Sequence, residues 1–323
     1  MTTRTRLLIT ALVAVLLGVV AVGYTALSAS DDSDDPGEVA SSSTVSGPRL
    51  MVLSNGRLST VSRSDPGGPR EVTEQRCDRV YSAAGTTSCL RPVGAFKAGE
   101  LAVLDATFRE VRTVPLTGFP NRTRVSPSGR MVAWTLFVDG HSYAANGFST
   151  STGILDAKTD TLVTSLEEFT SSVDGTVTTA VDRNFWGVTF TSDDNRFYAT
   201  MSTGGHRYLM EGDFAARTLR SIAKNVECPS LSPDGKRIAY KMAINNDPQQ
   251  GWRLSTMDLA TRAATPLAET RSVDDQPTWL DQQTIAYSIQ RSDGVNDIWT
   301  VPADGTGSPA VLVPEANSPA PIG

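Results

Sequence analysis

The sequence predicts an all-β protein, a six-bladed β-propeller with WD-like repeats, placed after an N-terminal transmembrane or signal helix. Three observations predict it. From Pro48 onward, short runs rich in Val, Ile, Thr and aromatic residues alternate with clusters of Gly, Pro, Asp and Asn. That is a pattern of strands and turns, with no sustained helical period. A unit of roughly forty residues recurs through the same region, the period of propeller blades. Finally, an uncharged apolar segment opens the chain.

That segment runs from Leu7 to Gly23 with Thr10 as its one polar residue, and continues through Tyr24 to Leu27. About 20 residues of helix just cross the hydrocarbon core of a bilayer. Arg4 and Arg6 precede it, and Asp31, Asp32, Asp34 and Asp35 follow, so the positive-inside rule places the remainder outside the cytoplasm. The run is long for a signal peptide, which favours a retained anchor in residues 1–30; cleavage near Ala26-Leu27-Ser28 is the alternative and would give a secreted protein. Residues 31–47, DDSDDPGEVASSSTVSG, are acidic and Ser-rich. Such a composition cannot bury enough apolar surface to order itself and reads as a flexible stalk.

The clearest repeat begins at Cys228 with CPSLSPDGKRIAYKM and continues, after a polar loop, as GWRLSTMDLATRAATPLA. Pro233-Asp234-Gly235 is a turn between two strands, because Pro presets φ and Gly supplies a positive φ. Related units start at Arg122 (RTRVSPSGRMVAWTLF), Trp186 (WGVTFTSDDNRFYATM) and Asp275 (DQPTWLDQQTIAYSI). A worn copy starts at Cys77 (CDRVYSAAGTTSCL), and a truncated one at Leu50. Six four-stranded units result, the first of them incomplete, spanning residues 48–316 and leaving 317–323 as a disordered tail. Thr170 to Asp182, TSSVDGTVTTAVD, reads as an inserted β-hairpin with its turn at Asp174-Gly175.

The SPDGKRIAY turn and strand, followed by the W-x-L-x-x-M-D-L-A-T strand, resemble the repeat of TolB-like propellers. DRNFWGVTF, NVECPSLSPDG and LAETRSVDDQ look like stretches of the membrane-anchored TolB-like proteins of actinobacteria. The resemblance covers nearly the whole chain after the stalk and implies the propeller fold. It says little of function, since propellers host many. TolB carries a further α/β domain before its propeller, and the stalk leaves no room for one before Leu50, so that family's partner is not carried across.

Laying Cys77 on Cys228 puts Cys89 in the second strand of its blade, with the hairpin turn midway between the two cysteines. A Cys77–Cys89 disulfide across adjacent strands is expected in an oxidising compartment, with two free thiols as the alternative. Cys228 is left over. Its neighbours Glu227 and Pro229 do not favour a thiolate, so a small buried residue is the expectation and a nucleophile the alternative.

A ligand is expected on the face that carries the links into each blade's first strand and the loops between second and third strands. Those links bring Asn121, Arg122, Arg183, Asn184, Trp186, Glu227, Arg271, Asp274 and Asp275 towards the channel mouth. Guanidinium forks, carboxylates and one large aromatic suit a polar ligand, a sugar or a peptide terminus. The competing reading is that these charges pair with one another and fix blade register. Gly-His-x-Tyr occurs twice at matching points, giving His141 with Tyr143 and His206 with Tyr208. Two imidazoles can bind a metal or move protons, but duplication explains the pattern without chemistry, and two histidines do not complete a zinc shell.

The formal net charge is −6 and the pI about 5.1. No basic cluster is present, so nucleic acid is a poor partner. No cofactor, metal or catalytic residue is expected. The leading expectation is an exported, tethered propeller that binds an envelope or secretion-complex protein, or a small polar ligand, without catalysis. The alternative is an envelope hydrolase, glycosidase-like or peptidase-like, using Asp274 or Asp275 with Glu227 as a carboxylate pair.

Overall fold

The computed structural model describes residues 47–93, 98–138 and 149–322. The expected anchor, nearly all of the stalk, His141 and Tyr143 lie outside the described residues.

Six antiparallel four-stranded sheets form the blades, one of them extended to six strands by an added hairpin. Blade 2 comprises Arg79–Ala83, Thr86–Pro92, Ala98–Leu104 and Glu110–Thr117, first strand innermost. Blades 3, 4, 5 and 6 begin with Phe119–Val125, Asn184–Phe190, Glu227–Leu231 and Thr278–Trp279 in the same position. Second strands such as Met131–Val138 are buried along nearly their whole length. Both faces of a blade lie against neighbours, so these strands read as continuous apolar runs instead of alternating ones. Fourth strands such as Ala264–Pro266 are exposed.

No single central core exists. One apolar cluster sits at each of the six joints between blades. Leu90, Leu101 and Val103 of blade 2 meet Val132 and Trp134 of blade 3. Phe185, Phe197 and Met210 of blade 4 meet Met131 and Ile154 of blade 3. The remaining joints repeat the arrangement.

The first–second turns hold by local polar chemistry. In blade 5 the Ser232 hydroxyl donates to Asp234 at 2.6 Å and accepts from the Arg237 amide at 2.9 Å. Gly235 takes φ +71°. Gly129 does the same in blade 3 at φ +81°.

The expectation of a disordered tail is corrected. Asn317–Ile322 is the innermost strand of blade 1 and pairs antiparallel with Arg49–Ser54. The first blade is therefore complete, with three strands from the N-terminal side and one from the C-terminal end. Ala320, fully buried, packs with Met51 and Leu53 against blade 2. A sequence such as NSPAPI lacks the usual strand signal, and its pairing edge decided its state. The expected hairpin is present: Thr170–Val173 and Thr176–Thr178 pair, and the first of them joins the outer edge of blade 4 in parallel with Thr218–Lys224.

Cys77 and Cys89 form a disulfide, with Cα atoms 5.4 Å apart. Cys77 lies just before the first strand of blade 2, and Val80, not Cys77, stands opposite Cys89 in the ladder. The bond thus clamps the link into blade 2 onto its second strand, where the sequence suggested a cross-strand pair.

Two outcomes test this architecture. Ending the chain at Ala316 removes the closing strand and is expected to lower the melting midpoint by about 10 °C or more; an unchanged midpoint in calorimetry would show that closure adds nothing. Replacing both Cys77 and Cys89 by Ser is expected to cost about 2–3 kcal/mol for a short closed loop, read from urea unfolding under oxidising conditions.

Candidate functional site

The first strands run from the link face to the opposite face, which carries the first–second and third–fourth turns. Near the link face several of them are bulged. The ladder shifts between Pro120 and Arg122, between Trp186 and Thr189, and between Glu227 and Ser230. Opposite Met51 and Leu53, the closing strand is bulged too. Gly187, Cys228 and Ser318 open three of these bulges at φ +67°, +50° and +55°. A bulge re-aims the residues beside it, and here it turns polar side chains across the channel. Gly187 has no alternative: a Cβ there would lie 2.7 Å from the Cα of Cys228.

The channel is crossed by polar struts. Arg122 of blade 3 donates to the backbone oxygen of Asp274 at 3.0 Å, across the ring in the link to blade 6. Its guanidinium lies 3.8 Å from the Asp274 carboxylate and 4.0 Å from that of Asp275. Two residues further along the same strand, Arg124 reaches Thr278 Oγ1 at 3.3 Å and the Pro277 oxygen at 3.1 Å. Gln276 bonds the Val188 and Pro229 oxygens of blades 4 and 5. Arg79 donates to the Asn121 oxygen at 2.8 Å.

A second group stands beside these struts. Lys241 contacts Asp274 and lies 4.2 Å from the centre of the Trp252 ring. Glu227, only 1% exposed, accepts from Trp252 Nε1 at 3.1 Å and pairs with Arg207 at 3.0 Å. Burial pushes the Glu227 carboxyl above its usual range, against the opposing pull of Lys241 and Arg207. Burial acts the same way on Asp274, but there the Lys241 ammonium outweighs it and the carboxyl stays below its usual range. Cys228 is buried, and desolvation raises its thiol pKa, which favours the small buried residue over the nucleophile.

The expected site residues therefore divide. Asn121, Arg122, Glu227, Asp274 and Asp275 converge at the channel mouth. The other described ones do not join them. Arg183 donates to the Ala180 and Phe169 oxygens and pins the inserted hairpin. Asn184 accepts from the Thr150 amide and hydroxyl at a blade joint. Trp186 is 4% exposed within its strand. Arg271 pairs with the buried Glu269 and covers the Trp299 ring at 3.8 Å. His206 opens the third strand of blade 4, where the repeat suggested a loop, and Tyr208 beneath it is 7% exposed. Sequence reasoning missed Arg79, Arg124, Lys241, Trp252 and Gln276. The repeat alignment held the signal for Arg124, two residues after Arg122 on the same strand face.

A pocket of about 500 Å³ opens beside the struts, lined by Arg79, Asp274, Asp275, Ser288, Gln290 and Asn317 among others. Among the described residues, no group of three His, Cys, Asp or Glu is placed to hold a metal ion.

The architecture is that of a six-bladed β-propeller. The chain is similar in structure to TolB from Acinetobacter baumannii, with a TM-score of 0.58, 16% identity, and coverage of 85% of this chain and 66% of that one. That match spans less than two thirds of the Acinetobacter protein. It is also similar to a putative TolB from Agrobacterium tumefaciens, at a TM-score of 0.51 and 11% identity over 84% of this chain and 92% of that one. These likenesses are of fold. No protein-family model and no curated protein matches the sequence.

The Asp274 carboxyl is held below its unfolded value, so the stability it contributes is present above about pH 4 and lost as pH falls through its folded pKa. Asp274→Asn is expected to destabilise the protein at pH 7 by about 1 kcal/mol or less, since solvent screens this exposed carboxylate. The difference should shrink steadily as pH falls below about 4; a gap that stays constant in chemical denaturation over that range would deny the ion pair its role.

Proposed function

We propose that this protein is an exported, membrane-tethered binding module of the cell envelope, which takes a polar ligand or partner segment into the link-face pocket. The observation that carries this reading is the wiring of Asp274. Its side chain is 60% exposed at the pocket while Lys241 and Arg122 stand behind it. The carboxylate is thus fixed, charged and open to solvent, an acceptor already oriented before any ligand arrives. Ser288, Gln290 and Asn317 add uncharged hydrogen-bonding groups around it. A preformed concave site with a few convergent polar groups is the usual form of a ligand site.

The hydrolase reading asks for a carboxyl with a raised pKa that a substrate oxygen can reach. Glu227 has the raised pKa but is closed off by Trp252 and Arg207. Asp274 is reachable but held ionised. That division favours binding over hydrolysis.

Crosslinking and affinity capture from native membranes tests the proposal. Gln290→Trp, which fills the pocket from an exposed position, and Asp274→Ala are both expected to lose what the wild type captures, with Gln290→Trp leaving the melting midpoint unchanged. If both variants retain every crosslink, this pocket is not the binding site. The N-terminus of the recovered protein, read alongside, is expected to precede Leu7; a start at Ser28 would remove the tether from the proposal.

A further inference from the structure

The channel has a second opening on the turn face. A pocket of about 330 Å³ lies there, walled by Tyr81, Phe190 and Trp279 and rimmed by the Ser-Pro turns of blades 3 and 5. Arg124 and Tyr81 line both this pocket and a small cavity of about 30 Å³ next to the Arg122 strut, so they form the partition between the two ends of the channel. The pocket is separate from the link-face site and stands independently of any binding there.

Arg124 is the unusual group. Its side chain is buried, with the residue 4% exposed. A buried guanidinium ordinarily has a carboxylate partner, because desolvating an unpaired charge costs several kcal/mol. Arg122, two residues before it on the same strand, has Asp274 and Asp275. Arg124 has neither: among the described residues its polar partners are the Thr278 hydroxyl and the Pro277 oxygen. The Tyr81 ring stacks 4.1 Å from the guanidinium carbon. Arg124 Nε is buried with no acceptor. Of five N–H donors on the fork, two are used.

Among the described residues, Asp234 is the only other charged one lining the pocket. Its carboxylate is turned into its own turn, accepting from the Ser232 hydroxyl at 2.6 Å and the Lys236 amide at 3.1 Å. It sits at the exposed rim, where water screens it. The floor therefore carries a positive charge with spare planar donors, and the walls are aromatic. Trp279 is held in place by its indole N–H on the Ser230 oxygen at 2.9 Å.

We propose that the turn-face pocket binds a small organic carboxylate, whose carboxylate docks on the Arg124 guanidinium and whose apolar body lies against Tyr81, Phe190 and Trp279. The guanidinium fork matches a carboxylate in plane and spacing, and such a ligand supplies the counter-charge that the described residues do not.

The test is a titration of the full-length protein in detergent micelles, followed by NMR of the tryptophan indole N–H signals. Benzoate is the probe and benzamide its neutral isostere. Benzoate is expected to shift the Trp279 indole saturably while leaving Trp252, on the link face, unmoved. Benzamide should bind at least tenfold more weakly, and Arg124→Gln should weaken benzoate by at least tenfold. Because Arg124 also braces the channel, a second variant is needed: Ser192→Trp, which fills the pocket from its exposed rim and leaves Arg124 intact, should abolish the shift. Equal affinity for benzoate and benzamide, a shift at Trp252 in place of Trp279, unaltered binding by Ser192→Trp, or no saturable shift would each overturn the proposal.

Discussion

Everything in this structure depends on closing a ring. Each blade has two apolar faces and can bury them only against two neighbours, so a propeller with one unsealed joint would expose a sheet face to water. The seal is the pairing of Asn317–Ile322 with Arg49–Ser54, which ties the two ends of the described chain into one sheet. It places Leu50 and Val52 against blade 6 and Met51 and Leu53 against blade 2. With that strand in place all six joints become equivalent, and stability is distributed around the ring.

Closure creates the second constraint, a narrow channel lined by first strands whose ends carry polar residues. Arginines fill it better than lysines would, because a long planar fork reaches across the channel and holds two acceptors at once. The struts tie blade 3 to blade 6, and Gln276 ties blade 6 to blades 4 and 5. The sequence set pairing for register against presentation to a ligand; here the groups that pair also leave one carboxylate open to the pocket. Arg122 faces inward and braces, while Asp274, braced by it and by Lys241, faces the pocket. The channel consequently has two chemically distinct ends, a carboxylate-bearing one on the link face and, on the turn face, one whose guanidinium pairs with no carboxylate among the described residues.

The fold was largely legible from the chain. Ser-Pro-Asp-Gly and its relatives mark one fixed point per blade, and the apolar second strands mark another; together they give blade number, blade boundaries and even the hairpin at Asp174-Gly175. The disulfide was legible in its partners but not in its geometry, since the ladder opposite Cys89 is set by a register that spacing alone does not fix. The closing strand was not legible, because a Pro-rich NSPAPI segment carries no strand propensity and is ordered only by the edge it finds.

The candidate site divides along the same line. Sequence by itself brought part of the site to the channel mouth, because these residues follow blade links: Asn121, Arg122, Glu227, Asp274 and Asp275 arrived there, while Arg183, Asn184, Trp186 and Arg271 did not. It could not determine which way their neighbours face. Trp186 and Arg183, three residues apart on one link, turned into a blade and a hairpin, because the partners each side chain meets are set by the packed blade and the inserted hairpin and not by spacing along the chain. Nor could it show that Arg124 meets Pro277, more than 150 residues away in sequence. Such contacts exist only across a closed ring, where opposite blades come within reach of a single side chain. The chain encoded the blades, and the tertiary structure decided what they hold between them.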